Sequence, residues 1–394
     1  MAEEPAADRA QMLEASIDRA FASGDNQGVL LALRQLASLL STDAEVHHRL
    51  AVIEEQIGDP VGAIHAHLKC LQLAPGNPLA YLYAGYCLQQ QGRTNAALAV
   101  YSLGSDLDAG MLQANTRGDP TGLRLNAANR ALRVHFSALH REVVGDKPEL
   151  ARIHDAIWTR THDRPYEFKQ PQQAPHLFYI PALTPFPYAE LESWPWVAEL
   201  ERQAGAIREE FLANLSQSRE LGRPYLDDTM QLGEEFEPLL GSLNWTALDL
   251  YKEGVRQEAM AVYFPRTLEA LKCAPLYGLN EQPFEVFFSV LKPGHHIKPH
   301  YGLSNHSLTV HLPIITPPNC SLIVGDEERH WQPGKLIAFD DSFLHEAIND
   351  SDEERVVLIF STWHPQLSAA EREAITRSFR ARSQWLDGRT LPKS

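Results

Sequence analysis

Three glycines at a constant interval constrain the front of this chain more than any other feature. Gly24, Gly58 and Gly92 stand 34 residues apart, and Asp25 and Asp59 follow the first two. Ala63 and Ala97 keep the interval, as do Ile64 and Leu98, and His67 and Tyr101. The apolar residues between them recur at helical spacing. A glycine permits a tight turn between paired helices, and a small alanine five residues on lets those helices approach closely. The interval predicts helix–turn–helix units at 10–43, 44–77 and 78–111, the first of them degenerate. Pro75 closes the second helix of the middle unit.

A 34-residue helical pair resembles the tetratricopeptide repeat, and three units are the minimum for a stable stack. The resemblance implies a concave groove for peptides, although the repeats name no partner. The alternative is an ordinary helical domain with coincidentally spaced glycines.

Leu125, Ala128, Leu132, Phe136 and Leu139 form one apolar stripe, which predicts a helix over 121–145. Leu150, Ile153 and Ile157 predict another over 148–161, with Pro148 in its first turn. Gln170–Pro175 reads as a linker. Beyond it comes a helix near 196–212, and then the period changes. Strands are predicted at 245–251, 284–291, 307–314, 319–324, 335–340 and 355–362, with weaker ones near 295–299 and 343–348. Short strands between Pro, Gly, Asn and Asp turns point to a closed barrel or jelly roll. The expected fold is therefore multidomain α + β: helical repeats over 1–111, a helical connector and linker over 112–175, and a β-barrel domain over 176–394.

Chemistry concentrates in 289–364. His295, His296, His300, His306 and His311 fall within 17 positions, and His345 follows in Phe339–Glu346. Imidazoles converging from separate strands make a metal-site candidate, although each of these histidines read singly is as well explained as a satisfied polar residue.

The segments Lys292–Gly302, Asn305, His311–Leu312, Val324–Gly325, Gly334–Lys335, Phe339–Glu346 and Trp363–Pro365 resemble the aspartyl/asparaginyl β-hydroxylase family. The resemblance covers about 176–366. It implies a double-stranded β-helix (cupin-like) core with iron(II) and 2-oxoglutarate as cofactors. Some members of the family also carry tetratricopeptide repeats ahead of this domain.

Carried over position by position, the resemblance makes His300 and His345 the iron ligands. Related oxygenases place a carboxylate two residues after the first histidine, where this chain has Gly302; the family shares that gap. Asp341 matches the carboxylate near the vacant ligand position. Arg355 and Ser289 match the pair that holds the distal carboxylate of 2-oxoglutarate, and a guanidinium fork suits a carboxylate. His311 matches a residue at the carboxylate nearest iron. Thr309 is a departure, because the family usually has arginine there. His295, His296 and His306 read as loop or supporting residues, His364 and Trp363 as packing at the barrel end, and Asp340 as a strand-end cap.

The implied activity is hydroxylation of an Asp, Asn or similar side chain, in a peptide or protein held partly by the repeats. Two alternatives remain: the same chemistry on a small-molecule or lipid-linked substrate, and a non-catalytic repeat scaffold whose cosubstrate site is degenerate at Thr309. The net charge of −16 argues against sequence-independent nucleic-acid binding. Most of the deficit, −12, lies in 176–394, in the domain expected to bind a doubly anionic cosubstrate, and that surface favours basic or neutral substrates over acidic ones. No apolar run reaches membrane-spanning length. The N-terminus lacks a secretory signal, and the four scattered cysteines form no CxxC pair. The cytoplasm is the expected compartment.

Overall fold

The computed structural model describes residues 6–230 and 232–392. They form two compact units. One runs up to Leu139 and includes Thr161–Asp163 and the segment from Ala381; the other comprises His140–Arg160 and Arg164–Arg380.

The first unit is built from three helix pairs. They are α1 (Ala6–Ala22) with α2 (Asn26–Leu39), α3 (Ala44–Ile57) with α4 (Pro60–Leu73), and α5 (Pro78–Gln90) with α6 (Thr94–Leu107). Gly24, Gly58 and Gly92 all adopt left-handed backbone, at φ +70°, +79° and +71°, with open space where a Cβ would stand. Backbone conformation alone therefore selects glycine at the repeat interval. Asp25 and Asp59 then cap α2 and α4 by accepting from the amides of Gly28 and Gly62. Gly85 answers a different need, since a Cβ there would lie 2.5 and 2.6 Å from Tyr101 Cδ1 and Cε1. Helix α7 (Pro120–Val144) adds Ala128, Leu132 and Phe136 to the core of the third pair.

The second unit is a jelly roll. Its strands are β1 (Trp245–Lys252), β2 (Val286–Leu291), β3 (His295–His300), β4 (Ser307–Ile315), β5 (Cys320–Val324), β6 (Glu327–His330), β7 (Ile337–Phe339), β8 (His345–Asn349) and β9 (Arg355–Trp363). The larger sheet runs β7-β4-β9-β2-β1 and continues to a short strand at Arg223–Pro224; the smaller runs β6-β5-β8-β3. Both are antiparallel. Side chains alternate across the larger sheet. Leu248, Val286, Phe288, Leu308, Val310, Leu312, Leu358 and Phe360 face outward into a core shared with α8 (Pro195–Ala213). Trp245, Leu291 and Val357 face inward and pack with Ile297, Leu322 and Val324 of the smaller sheet.

All eight predicted strands are present. The predicted helix over 148–161 is not: only Ala151–His154 is α-helical, and Ile157–Trp158 pair as a strand with Phe178–Tyr179. Burying Ile157 and Trp158 against Phe178 overrides their helical spacing. Gln173 is buried and bridges to Phe343, so the proline-flanked segment runs along the barrel. The hairpin strand β6 and a closing helix α9 (Ala369–Asp387) went unforeseen, since β6 is short and mostly polar.

Candidate active site

His300 ends β3 and His345 begins β8, and the two are cross-strand partners. Their ring centroids lie 4.2 Å apart. In each ring Nδ1 donates to a carbonyl two residues back, His300 to Lys298 at 2.7 Å and His345 to Phe343 at 2.9 Å. That tautomer leaves both Nε2 lone pairs for another group. Burial lowers the pKa of His300, and burial together with His300 lowers that of His345 to about 3. Both rings are neutral at pH 7, as a metal ligand must be. Among the described residues no three His, Cys, Asp or Glu side chains converge on one point. The protein thus offers a pair of imidazoles, and its donor set fits a metal that takes its other ligands from elsewhere.

Gly302 has no side chain to supply a third donor, and the space beside it is filled. A Cβ at 302 would lie within 2.6 Å of both Asp341 carboxyl oxygens. Burial, and secondarily Asp340, raise the Asp341 pKa to about 7, while a hydrogen bond from Thr309 Oγ1 at 3.1 Å opposes the rise. The Thr309 hydroxyl is therefore directed to Asp341. Asp340 turns away: its carboxyl accepts from the Ser342 amide and hydroxyl and from Gln173 Nε2.

Pairing registers order the remaining residues by depth. Thr309 pairs with Ser361, His311 with Ile359 and Pro313 with Val357, while Val357 pairs with Ser289 and Arg355 with Leu291. All lie along the inward faces of β2, β4 and β9, so Thr309 sits outermost, His311 in the middle and Arg355 deepest. Arg355 is 1% exposed. Its Nη1 donates to Ser289 Oγ at 3.3 Å, Trp331 lies under its guanidinium at 5.1 Å, and among the described residues its Nε has no hydrogen-bond partner. Burial lowers its pKa to about 10, which leaves it charged. A buried cation without a carboxylate costs several kcal/mol, and an anionic ligand would remove that cost.

Two tryptophans that sequence reasoning did not single out complete this end. Trp245 Nε1 donates to Ser289 Oγ at 3.0 Å, and Trp331 Nε1 donates to His311 Nδ1 at 3.2 Å. The second bond places the His311 proton on Nε2. Trp331 lies between β6 and β7, where strand alternation assigns no direction. His306, in contrast, is enclosed by Phe178, Tyr277, Trp363 and Phe379, away from this set. His296 pairs with Glu346 at 2.5 Å, and His364 stacks on Phe186.

The fold and its paired imidazoles define a two-histidine double-stranded β-helix domain. A sequence profile described as aspartyl/asparaginyl beta-hydroxylase matches residues 201–365, and over these residues the chain is similar to that family. Human aspartyl/asparaginyl beta-hydroxylase is 26% identical over 91% of this chain and 43% of its own length. Mouse aspartate beta-hydroxylase domain-containing protein 2 is 29% identical over 75% of this chain and 86% of its own. An ornithine lipid ester-linked acyl 2-hydroxylase of Rhizobium tropici is 33% identical over 47% of this chain and 63% of its own. The chain spans less than half the length of the human and mouse aspartyl/asparaginyl hydroxylases it matches. Among the described residues no helix is long and apolar enough to cross a membrane.

Proposed function

We propose that the protein is an iron(II)- and 2-oxoglutarate-dependent oxygenase that hydroxylates an amino-acid side chain in a peptide or protein. Asp and Asn, the side chains in the relatives' names, are the first candidates, and the Rhizobium relative makes a lipid acyl chain the second. The observation that carries the reading is Arg355, a buried guanidinium with an unpartnered Nε in the same barrel interior as the histidine pair.

Iron(II) and 2-oxoglutarate, when bound, would let dioxygen replace C–H by C–OH, one oxygen atom going to the substrate and the other to the succinate left when 2-oxoglutarate loses carbon dioxide. In this reading His300 and His345 hold the metal through Nε2. Arg355 and Ser289 hold the distal carboxylate by charge-assisted hydrogen bonds. His311, with its proton on Nε2, offers a neutral donor nearer the metal. Asp341 orients a ligand beside Gly302 from its own position. Phe236 approaches the His300 ring edge-on at 6.0 Å and Phe339 lies 5.4 Å from His345, and both shield the pair from water. The repeats offer a surface for the peptide.

Calorimetric titration of 2-oxoglutarate into zinc-loaded protein tests the reading. Saturable 1:1 uptake that Arg355→Met abolishes is expected. Absence of uptake by the native protein would overturn it.

A further inference from the structure

The rung that joins His300 to His345 is weakly held by its own sheet. The register that pairs these two residues next pairs Ile297 with Ala347. Lys298 and Pro299 therefore stand opposite Glu346 alone, and Pro299 has no N–H to give to a ladder. Such a bulge leaves one residue unpaired and bends its strand. His345 is also held on its other side, by Val324 of β5. His300 has no such neighbour, because it ends the edge strand of the smaller sheet, beyond the bulge.

The strap Gln172–Phe178 supplies what the ladder lacks, because it grips both loops that carry the histidines. On the His345 side, the Leu344 amide donates to the Gln172 carbonyl at 2.8 Å, and the Ala174 amide donates to the Ser342 carbonyl at 2.9 Å. On the His300 side, the His176 amide donates to the Gly302 carbonyl at 3.1 Å. The Leu177 and Phe178 amides share the Leu303 carbonyl, at 2.9 and 3.0 Å. Pro175 alone separates the two grips, and its ring fixes φ there. Gln173 anchors the strap. It is 1% exposed, and its Nε2 donates to Asp340 Oδ2 at 3.1 Å and to Ser342 Oγ at 2.9 Å. Asp340 accepts in turn from the Ser342 amide, which closes the turn that leads into His345.

Resting on the oxygenase reading above, we infer that Gln173 is a positioning residue for the histidine pair: through the strap it fixes the separation of the His300 and His345 rings. It acts by holding the loops on which the rings stand, as outer partners orient metal ligands elsewhere. A metal with two protein ligands depends on that separation more than one with three, since no third side chain corrects an error between them.

The test uses the full chain with cobalt(II) and 2-oxoglutarate, read by visible d–d absorption and by cobalt(II) titration below each variant's own melting temperature. The native chain should give a band that is lost when His300→Ala and His345→Ala are combined. Gln173→Met keeps the side-chain volume and loses both donated bonds. It should shift the band and weaken cobalt(II) binding by about 10-fold or more. One glycine inserted after Pro175 changes neither grip but lengthens the span between them, and should act in the same direction; it carries the test where Gln173→Met does not fold. Asn349→Ser is the control. Asn349 Nδ2 donates to the carbonyls of Leu291, Lys292 and Glu353 at the far end of β8, so its loss should lower the melting temperature and leave band and affinity native. A native band and affinity in either folded strap variant, or the same spectral change in Asn349→Ser, would overturn the inference. No cobalt(II) uptake by the native chain, or uptake that survives loss of both histidines, would overturn the oxygenase reading itself.

Discussion

The Asp341 carboxyl occupies the space that any side chain at position 302 would need, with both oxygens within 2.6 Å of where a Cβ on Gly302 would stand. The missing carboxylate of the histidine–glycine pair is thus a packing requirement as well as a chemical gap. Gly302→Asp, which restores the usual donor type, should fail to create a third ligand. The overpacking should cost about 1–3 kcal/mol and weaken zinc binding. Urea midpoints and zinc affinity of Gly302→Asp and of Gly302→Asp with Asp341→Ala would check this; recovery is expected only in the double variant.

Arg355 should prove costly to the empty fold and necessary to the filled one. Replacing it by Met removes a buried, incompletely paired charge of similar length, so metal-free protein should melt at the same or a higher temperature, by the equivalent of about 1 kcal/mol or more. Uptake of 2-oxoglutarate should fall by at least 100-fold. Melting without ligand and calorimetry with it read the two halves separately.

His306 should make stability depend on pH. Burial holds its folded pKa at about 3 against 6.5 for a free histidine, so the fold excludes a proton that the unfolded chain takes up. Its effect is nil well above pH 6.5 and grows as pH falls from there toward 3, at about 1.4 kcal/mol per unit, or about 2 kcal/mol by pH 5. His306→Phe removes the titration and two ring nitrogens that have no hydrogen-bond partner among the described residues. Its urea midpoint should fall less steeply than the native one between pH 7 and 5.

In the repeats, Gly58 and Gly85 should respond for separate reasons. Gly58→Ala forces left-handed backbone on an alanine and should cost about 1 kcal/mol. Gly85→Ala drives a methyl into the Tyr101 ring and should cost about 1–3 kcal/mol. Hydrogen exchange of α3–α6 amides is the measurement. Gly85→Ala should be rescued in part by Tyr101→Leu, and Gly58→Ala should not.

Much of the candidate site can be read from residue types in order: Phe339–Glu346 with its histidine, the earlier Pro299-His300-Tyr301-Gly302, and Arg355 ten positions after His345. Trp331 and Trp245 cannot be found this way. Each contributes one N–H to a side chain 20 and 44 residues distant, and the sequence gives no cue to either contact. Thr309 was legible as a departure, but its hydrogen bond to Asp341 was not.

By itself the sequence determined what depends on neighbours along the chain. The 34-residue interval set left-handed turns and helix caps, and short segments between Pro, Gly, Asn and Asp turns set eight strands, because backbone conformation and residue propensity are local properties. The tertiary structure alone decided depth and company. Register between strands far apart in the chain placed Thr309 at the mouth and Arg355 at the bottom. It filled the space beside Gly302 with Asp341. A ladder of hydrogen bonds aligns residues tens of positions apart, and a one-residue slip would turn each of them to the other face.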